Sequence, residues 1–516
     1  MQELTLRFIL GDQLNSEHSW FKEKNSNIHY LMMEIKQELE YTTHHIQKIS
    51  AYFLSMRNFV EEKSREGHHF IYTFLDAKEN THSLTKNLLY YLSKEKYTHF
   101  EYQLPDEYRL DRQLIDFCIS LEKSGQIKTK AHDTEHFFTH RNELIERFGV
   151  KKSYLMESFY RAMRKDHQIL MDGNDPEGKI WNLDSENRKS YDGKTPIPPF
   201  LKFNHSAAHI RVLIDKFNIK YLGTMKDERI VWPISRHESL VVLDFFVENL
   251  LPHFGTFEDA MDTHETALFH SRLSFALNTK MISPGEVIKN AIRGYREQKH
   301  KISFAQLEGF VRQILGWREF MRGNYWAQMP HYSTLNFFEH KRKLPNWYWT
   351  GDTKMNCLHH SISQSLELAY AHHIQRLMIT GSFALLAGIH PDEVDSWYLG
   401  IYIDAIEWVE ITNTRGMSQY ADGGIIGSKP YVSGANYISK MSNYCKTCIY
   451  DPKKRHGEKA CPFNSLYWNF FLERKEQLIK NQRVSLVYRN LEKMENEELK
   501  AIQRQAQYYL KEINQL

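Results

Sequence analysis

The chain has 516 residues, 41% hydrophobic and 25% charged, an ordinary composition for a globular protein of two or three domains. No apolar run reaches the roughly 18 residues that a membrane-spanning helix needs, and Met1-Gln2-Glu3-Leu4 lacks the basic-then-apolar pattern of a secretion signal, so a cytoplasmic protein without a membrane partner is expected. A net charge of +3 neither requires nor forbids a nucleic-acid partner, because a near-neutral protein binds DNA when its basic residues share one face.

Residues 4–10 form a short apolar run that ends at Gly11-Asp12-Gln13, which predicts a buried strand leaving a sheet at a polar turn. Further strands are predicted at 28–33, 69–74 and 98–103, with helices at 44–64 and 83–94 between them. The first helix carries Ile46, Ile49, Phe53, Met56 and Val60 on one face. Alternating strands and helices predict right-handed crossovers and a parallel sheet. Ligands of such sheets sit beyond the carboxyl ends of the strands, where Asp12, Gln13, Glu34 and Glu38 fall.

From about 140 to 200 the periodicity loosens. The stretches 172–178 and 195–199 are turn chemistry, and 179–189 between them holds Trp181 with polar and basic residues; long connections of this kind are often functional. Beyond 203 the apolar spacing is helical, as in Leu240, Leu243, Phe246 and Val247, or Phe310, Ile314, Trp317 and Met321. The expected fold class is therefore α/β + all-α: an α/β domain at 1–135, a linker at 136–205 and a helical domain at 206–516.

Four of the five cysteines read as a frame for metal. Cys445 and Cys448 form a CxxC, Cys461 precedes Pro462, and Cys357 lies far upstream at a turn-like stretch. A chain of this length has no need of a disulfide staple, and four cysteines suit either zinc or a 4Fe-4S cluster. Cys118, among Leu114, Ile115, Phe117 and Leu121, reads instead as a small hydrophobe on a helix face.

Other patterns admit a plain reading beside a functional one. His270-Ser271-Arg272-Leu273-Ser274 places hydroxyls near a helix start, which caps the helix or binds phosphate. His372 and His373, adjacent on a helix, point about 100° apart, so one can pack while the other faces a pocket and exchanges protons. The segment 397–410 mixes Asp404, Glu407 and Glu410 into an apolar helix, and buried charges need partners; Arg376 is a candidate. Basic residues at 429, 440, 446, 453–455 and 459 give either a solvated face or a phosphate-binding one. Seven of the 10 Trp lie beyond residue 300, in a helical core or against a flat cofactor.

Taken together, these residues resemble the photolyase/cryptochrome superfamily, and within it the bacterial iron–sulfur branch of prokaryotic (6-4) photolyases. The motifs run along nearly the whole chain: Leu10-Gly11-Asp12-Gln13-Leu14, Glu38-x-x-Tyr41-x-x-His44-His45, Trp181-Asn182-Leu183-Asp184 through Arg188, Gly316-Trp317-Arg318-Glu319, Tyr348-Trp349-Thr350-Gly351, Ala371 through Arg376, Trp397-Tyr398, Met417 through Gly424, and the cysteine frame. The resemblance implies a 4Fe-4S cluster on Cys357, Cys445, Cys448 and Cys461. It implies FAD in the helical domain, with His270, Ser271, Leu273 and Ser274 near its phosphates and ribose, Asp404, Arg376 and Glu410 along its ring, and Gln313, Trp317 and Arg318 lining the same pocket. It implies a 6,7-dimethyl-8-ribityllumazine antenna at Asp12, Gln13, Glu38 and Tyr41. The implied activity is light-driven repair of (6-4) photoproducts in UV-damaged DNA by a monomer. His373 is the expected proton donor, with His372 beside it. Tyr431, Asp184 and Arg188 are expected at the lesion or the opened strand, and Trp397, Tyr398 and Trp349 carry photoreduction. A blue-light photoreceptor of the same architecture is the alternative.

Overall fold

The computed structural model describes residues 3–123, 125 and 127–516; Met1 and Gln2 of the N-terminal reading lie outside them. Five parallel strands form one sheet in the order β3-β2-β1-β4-β5, namely β1 (Thr5–Phe8), β2 (Ile28–Met33), β3 (His69–Thr73), β4 (His99–Gln103) and β5 (Lys128–His132). Thr5 of β1 registers with Ile28 on one side and His99 on the other. Side chains alternate between the two faces of a strand. Leu31 and Met33 therefore join Leu6, Phe8 and Phe100 under helices Leu84–Lys94 and Tyr108–Lys123. Tyr30 and Met32 face the other way, onto Ile49, Phe53 and Met56 of helix Ile46–Arg65. Burial on both faces is why these strands read as apolar runs.

β5 was not predicted. Its sequence, Lys-Thr-Lys-Ala-His, is largely exposed at the sheet edge, and edge strands carry charge that blocks further pairing. The loosened stretch contains two helices, Glu143–Phe148 and Met156–His167. The second buries Met156, Phe159, Tyr160 and Met163, a helical spacing masked by the turn signals that follow it.

The second face of the sheet opens directly into the helical region, because the core around helix Ile46–Arg65 continues through Phe246, Phe310, Leu315 and Tyr325. The join is tight at Gly400, where a Cβ would lie 2.3 Å from the Thr43 carbonyl oxygen and whose own carbonyl accepts from His45 N at 2.8 Å. A separate core surrounds the cysteines and the C-terminal helices. Among the described residues no helix is long and apolar enough to cross a membrane.

His45 fastens this join in its neutral form. Its Nδ1 accepts from Gln47 N at 3.0 Å, capping the helix, and its Nε2 donates to the Leu366 carbonyl at 2.9 Å. Burial depresses its pKa from 6.5 to about 4. The unfolded chain therefore binds a proton that the folded chain refuses as pH falls below 6.5. The contribution of His45 is complete above that value and is lost towards pH 4, to the extent of about 3 kcal/mol. Urea midpoints at pH 7.5 and 4.5 should separate less for His45→Asn than for the parent chain; equal separations would overturn this role.

Candidate active site and cysteine centre

A cleft of about 1320 Å³ runs into the helical region. Three π-helical stretches, Arg312–Arg318, Gln375–Gly381 and Thr412–Ser418, form much of its wall, and such widened turns recur at functional sites. The last two approach closely at Gly381, where a Cβ would lie 2.1 Å from Ser418 Oγ.

Deep in the cleft Arg376 grips Asp404 through two hydrogen bonds, Nη1 to Oδ1 at 3.0 Å and Nη2 to Oδ2 at 3.1 Å. The same guanidinium lies 3.8 Å over the Tyr402 ring. Burial pushes the Asp404 carboxyl up, but the charge and hydrogen bonds of Arg376 outweigh it and hold the group below its ordinary value. Among the described residues Glu410 has only Thr414 as a donor, at 2.6 Å, and burial raises its pKa. Asp404 does not sit on a helix, contrary to the sequence reading. Helix Pro391–Ile401 ends and another begins at Glu407. The intervening carbonyls are held from outside, Ala405 by Lys48 Nζ at 2.7 Å and Asp404 by the Asn278 side-chain amide. The break sends Asp404 into the cleft and Glu407 towards Tyr325 and Glu107.

His270, Ser271, Ser274, Gln313, Trp317, Arg318, Arg376, Asp404 and Glu410 all line the cleft. Leu273 is buried outside its lining, at the N-cap of the short helix Ser274–Asn278. Arg272 and Asn278 were missed. Arg272 is half-buried between Phe200 and Trp232, 3.9 Å and 4.3 Å from the ring centres, donates to the Leu201 carbonyl, and is pushed down to about 10 by the surrounding protein. A half-buried guanidinium with no carboxylate beside it among the described residues suits a phosphate. The signal was present in the sequence, in the Arg that interrupts the hydroxyl run 270–274.

His372 is buried and stacks on His270 with ring centres 4.5 Å apart. Both ring nitrogens of His372 and Nε2 of His270 lack a protein partner, a costly state unless a ligand supplies one. His373 is exposed to the cleft. The surrounding protein and then Arg376 depress its pKa. One of the pair is packed and the other faces the opening, but they are not neighbours on one helix as the sequence reading had it: His372 precedes the helical turn that starts at His373. Tyr431, Asp184 and Arg188 line the same cleft, and Arg188 Nη2 lies 2.6 Å from Asp184 Oδ2. On this wall Glu258 is pushed up to about 8 by burial and then by Asp259 and Asp184.

Tyr398 lines the cleft and meets Trp397 at 5.3 Å between ring centres. From Trp397 the rings continue through Tyr348 at 5.2 Å to Trp347 at 4.7 Å. Trp349 is 42% exposed, and its neighbours Tyr348 and Trp347, rather than Trp349, touch this stack.

A second cavity, about 130 Å³, lies beyond the carboxyl ends of β1, β2 and β4, at the point where strand order reverses. Asp12, Glu38 and Tyr41 line it, with Lys48, Asp106 and Glu107. Gln13 is absent from this lining; its side chain accepts from Leu10 N and donates to the Gln103 and Leu104 carbonyls, fixing the turn. Glu34 is taken up by Arg57, Tyr72 and Leu75 N.

Cys357, Cys445, Cys448 and Cys461 all face one further cavity, with Met355, Tyr444 and Phe463. Burial first, and the neighbouring thiols next, push Cys357 well up and Cys445 to about 11; burial also raises Cys461, to about 12. Among the described residues no three His, Cys, Asp or Glu side chains are placed to hold a metal ion. Cys118 is buried under the sheet among Leu114, Phe117 and Leu121, as its plain reading requires.

Residues 7–230 match the family of deoxyribodipyrimidine photo-lyase-related proteins. Over 519 aligned residues the chain is 38% identical to the (6-4) photolyase of Agrobacterium fabrum, covering 100% of both chains. In fold it is similar to a bacterial class III photolyase from Agrobacterium tumefaciens, with a TM-score of 0.59 at 13% identity over 99% of this chain and 98% of that one. A Synechocystis cryptochrome is similar with a TM-score of 0.58 at 13% identity over 86% of each chain.

Proposed function

The chain belongs to the (6-4) photolyase family, and from that premise we propose that it splits the (6-4) pyrimidine–pyrimidone photoproduct of UV-damaged DNA in a light-driven reaction. The observation that carries this reading is one cleft that holds the Arg376–Asp404 pair, the unpartnered His270 and His372, and a mouth lined by His373, Tyr431, Asp184 and Arg188. Such a cleft suits FAD below and an extruded lesion above. The orphaned nitrogens of His270 and His372 and the carboxylate-free Arg272 are the groups that FAD would satisfy. When bound in its reduced form, FAD supplies the electron that light sends to the lesion.

The protein's own residues do the rest. Arg376 and Asp404 fix the floor of the pocket in one geometry. Asp184, Arg188 and Tyr431 receive a dinucleotide swung out of the duplex, which costs least where pairing is already damaged. His373, in its protonated imidazolium form, gives an N–H proton to the lesion and is left as the neutral imidazole, and His372, packed against His270, holds it at the mouth. Tyr398, Trp397, Tyr348 and Trp347 offer a run of rings for refilling the flavin with electrons, in place of Trp349.

In the α/β domain, taken as residues 1–135, the second cavity is read as the site of the 6,7-dimethyl-8-ribityllumazine antenna. Its support is a set of polar groups, Asp12, Glu38, Tyr41 and Lys48, beside Asp106 and Glu107, in a cavity whose apolar wall includes Ile9, Leu10, Phe53 and Met56. The four cysteines are read as ligands of a 4Fe-4S cluster. Four thiols around a shared cavity are a donor set that suits a cluster or zinc, and the family resemblance is what favours the cluster.

The test is repair itself. The flavin-loaded, reduced protein should restore intact bases in an oligonucleotide with one (6-4) photoproduct under blue light and not in darkness. No repair by a protein whose flavin photoreduces would replace this reading with the blue-light photoreceptor.

A further inference from the structure

Beyond the lesion pocket, the mouth of the cleft carries a feature that flavin and lesion leave unused. Arg483, Leu486, Val487 and Asn490 all line it. Leu486, Val487 and Asn490 share one face of the short helix Ser485–Leu491, and Arg483 sits in the 3-10 turn Gln482–Val484 that leads into it. The opposite face, Val484, Tyr488 and Leu491, is buried in the C-terminal core, where Tyr488 meets Phe471 edge-on at 5.9 Å. An amphipathic segment of this kind turns polar side chains outward. Here the outward face holds Leu486, 62% exposed. A single exposed leucine is unremarkable on an open surface; at the lip of a cleft, one turn from a cation, it has a ligand to meet.

The charges around it are placed for a strand. Arg188 of the linker wall and Arg483 of the C-terminal segment line the same cleft as Tyr431, and they come from different elements. Lys429 lines the same edge. Arg483 is exposed, as a phosphate contact requires.

We propose that the face of Arg483, Leu486 and Asn490 is a strand-separating surface, in which Leu486 fills the gap left in the duplex by the extruded lesion and Arg483 holds a phosphate beside it. The inference rests on the repair reading. Extrusion leaves unstacked base faces in the undamaged strand, and an apolar side chain pressed against them replaces the lost stacking, as wedges do in other bent or opened duplexes. Single-stranded substrate has no gap to fill, and that difference isolates the wedge from the pocket.

The experiment compares the full-length, flavin-loaded parent with Leu486→Ala and Leu486→Met on three probes: a duplex with one (6-4) lesion and 2-aminopurine opposite it, the same lesion strand alone, and undamaged duplex. Leu486→Ala should lose about tenfold in affinity for the lesion duplex and most of the 2-aminopurine signal of opening. Its loss on the single strand should stay under about twofold, and Leu486→Met should recover the duplex. Parent-like duplex affinity and opening in Leu486→Ala would overturn the wedge, as would equal losses on duplex and single strand, which would make Leu486 part of the pocket wall. Failure of the parent itself to repair the lesion in either form would instead strike the repair reading.

Discussion

Replacing His373 by alanine is expected to lower light-driven repair of a (6-4) photoproduct by about 10²–10⁴-fold, the range for loss of a general acid, with flavin content and lesion binding retained. His373 is the member of the pair that opens into the cleft, whereas His372 is stacked on His270 beneath it. An acid acts only in its protonated fraction. In the free protein the surrounding mass and Arg376 depress the pKa of His373, and the phosphates of bound DNA act in the opposite direction. The repair yield per absorbed photon should therefore fall as pH rises past the pKa of the DNA complex, by about tenfold per unit, and His373→Ala should lose that pH dependence along with the rate. Yields measured between pH 6 and 9 on both proteins decide it. A parent-like yield in His373→Ala would move the proton to Tyr431 or His372.

How far the sequence carries this site depends on which forces are local. The sheet was legible because Leu6, Phe8, Leu31 and Met33 alternate with Tyr30 and Met32 between two buried faces. The edge strand β5 was not, since exposure leaves it no apolar pattern. Asp404 shows the opposite failure. An apolar run from Trp397 to Glu410 has every local reason to be one helix, and it breaks because Lys48, Asn278 and Arg376, all distant in sequence, satisfy the freed backbone and carboxylate. Tertiary contacts override propensity at such points. The same blindness separates Trp349 from the ring stack. Trp347, Tyr348 and Trp349 are consecutive, and only the turn Asn346–Trp349 decides which two face inward. Arg272 and Leu486 were passed over for a different reason: one is a charge hidden in an aromatic cage, the other an apolar side chain where a polar one belongs.

The largest effect on stability is expected at Cys357. Its thiol and those of Cys445, Cys448 and Cys461 face one cavity inside a core that holds Tyr444, Phe463 and Phe470. The segments they join are separated by up to 104 residues, 461 minus 357, so a cluster bound there crosslinks the largest loop of the C-terminal region. The end of the chain depends on the same join, because the Leu516 carbonyl accepts from Lys354 N at 3.1 Å and from Thr353 Oγ1 at 2.7 Å. Metal affinity for such a site is folding free energy, on the order of 10 kcal/mol for structural sites, against total domain stabilities of about 5–15 kcal/mol. Cys357→Ser should therefore yield protein without iron or acid-labile sulfide, with amide protection lost through Pro462–Glu473 and Asn496–Lys511, while the five-stranded sheet stays protected. Cys118→Ser supplies the contrast: that thiol is buried under the sheet with no thiol neighbour, and its replacement should cost only about 1 kcal/mol with iron content unchanged. Metal analysis and hydrogen exchange on the two variants separate the cases. If Cys357→Ser lost its iron yet kept parent-like protection in the C-terminal helices, the cluster would not be what holds this region together.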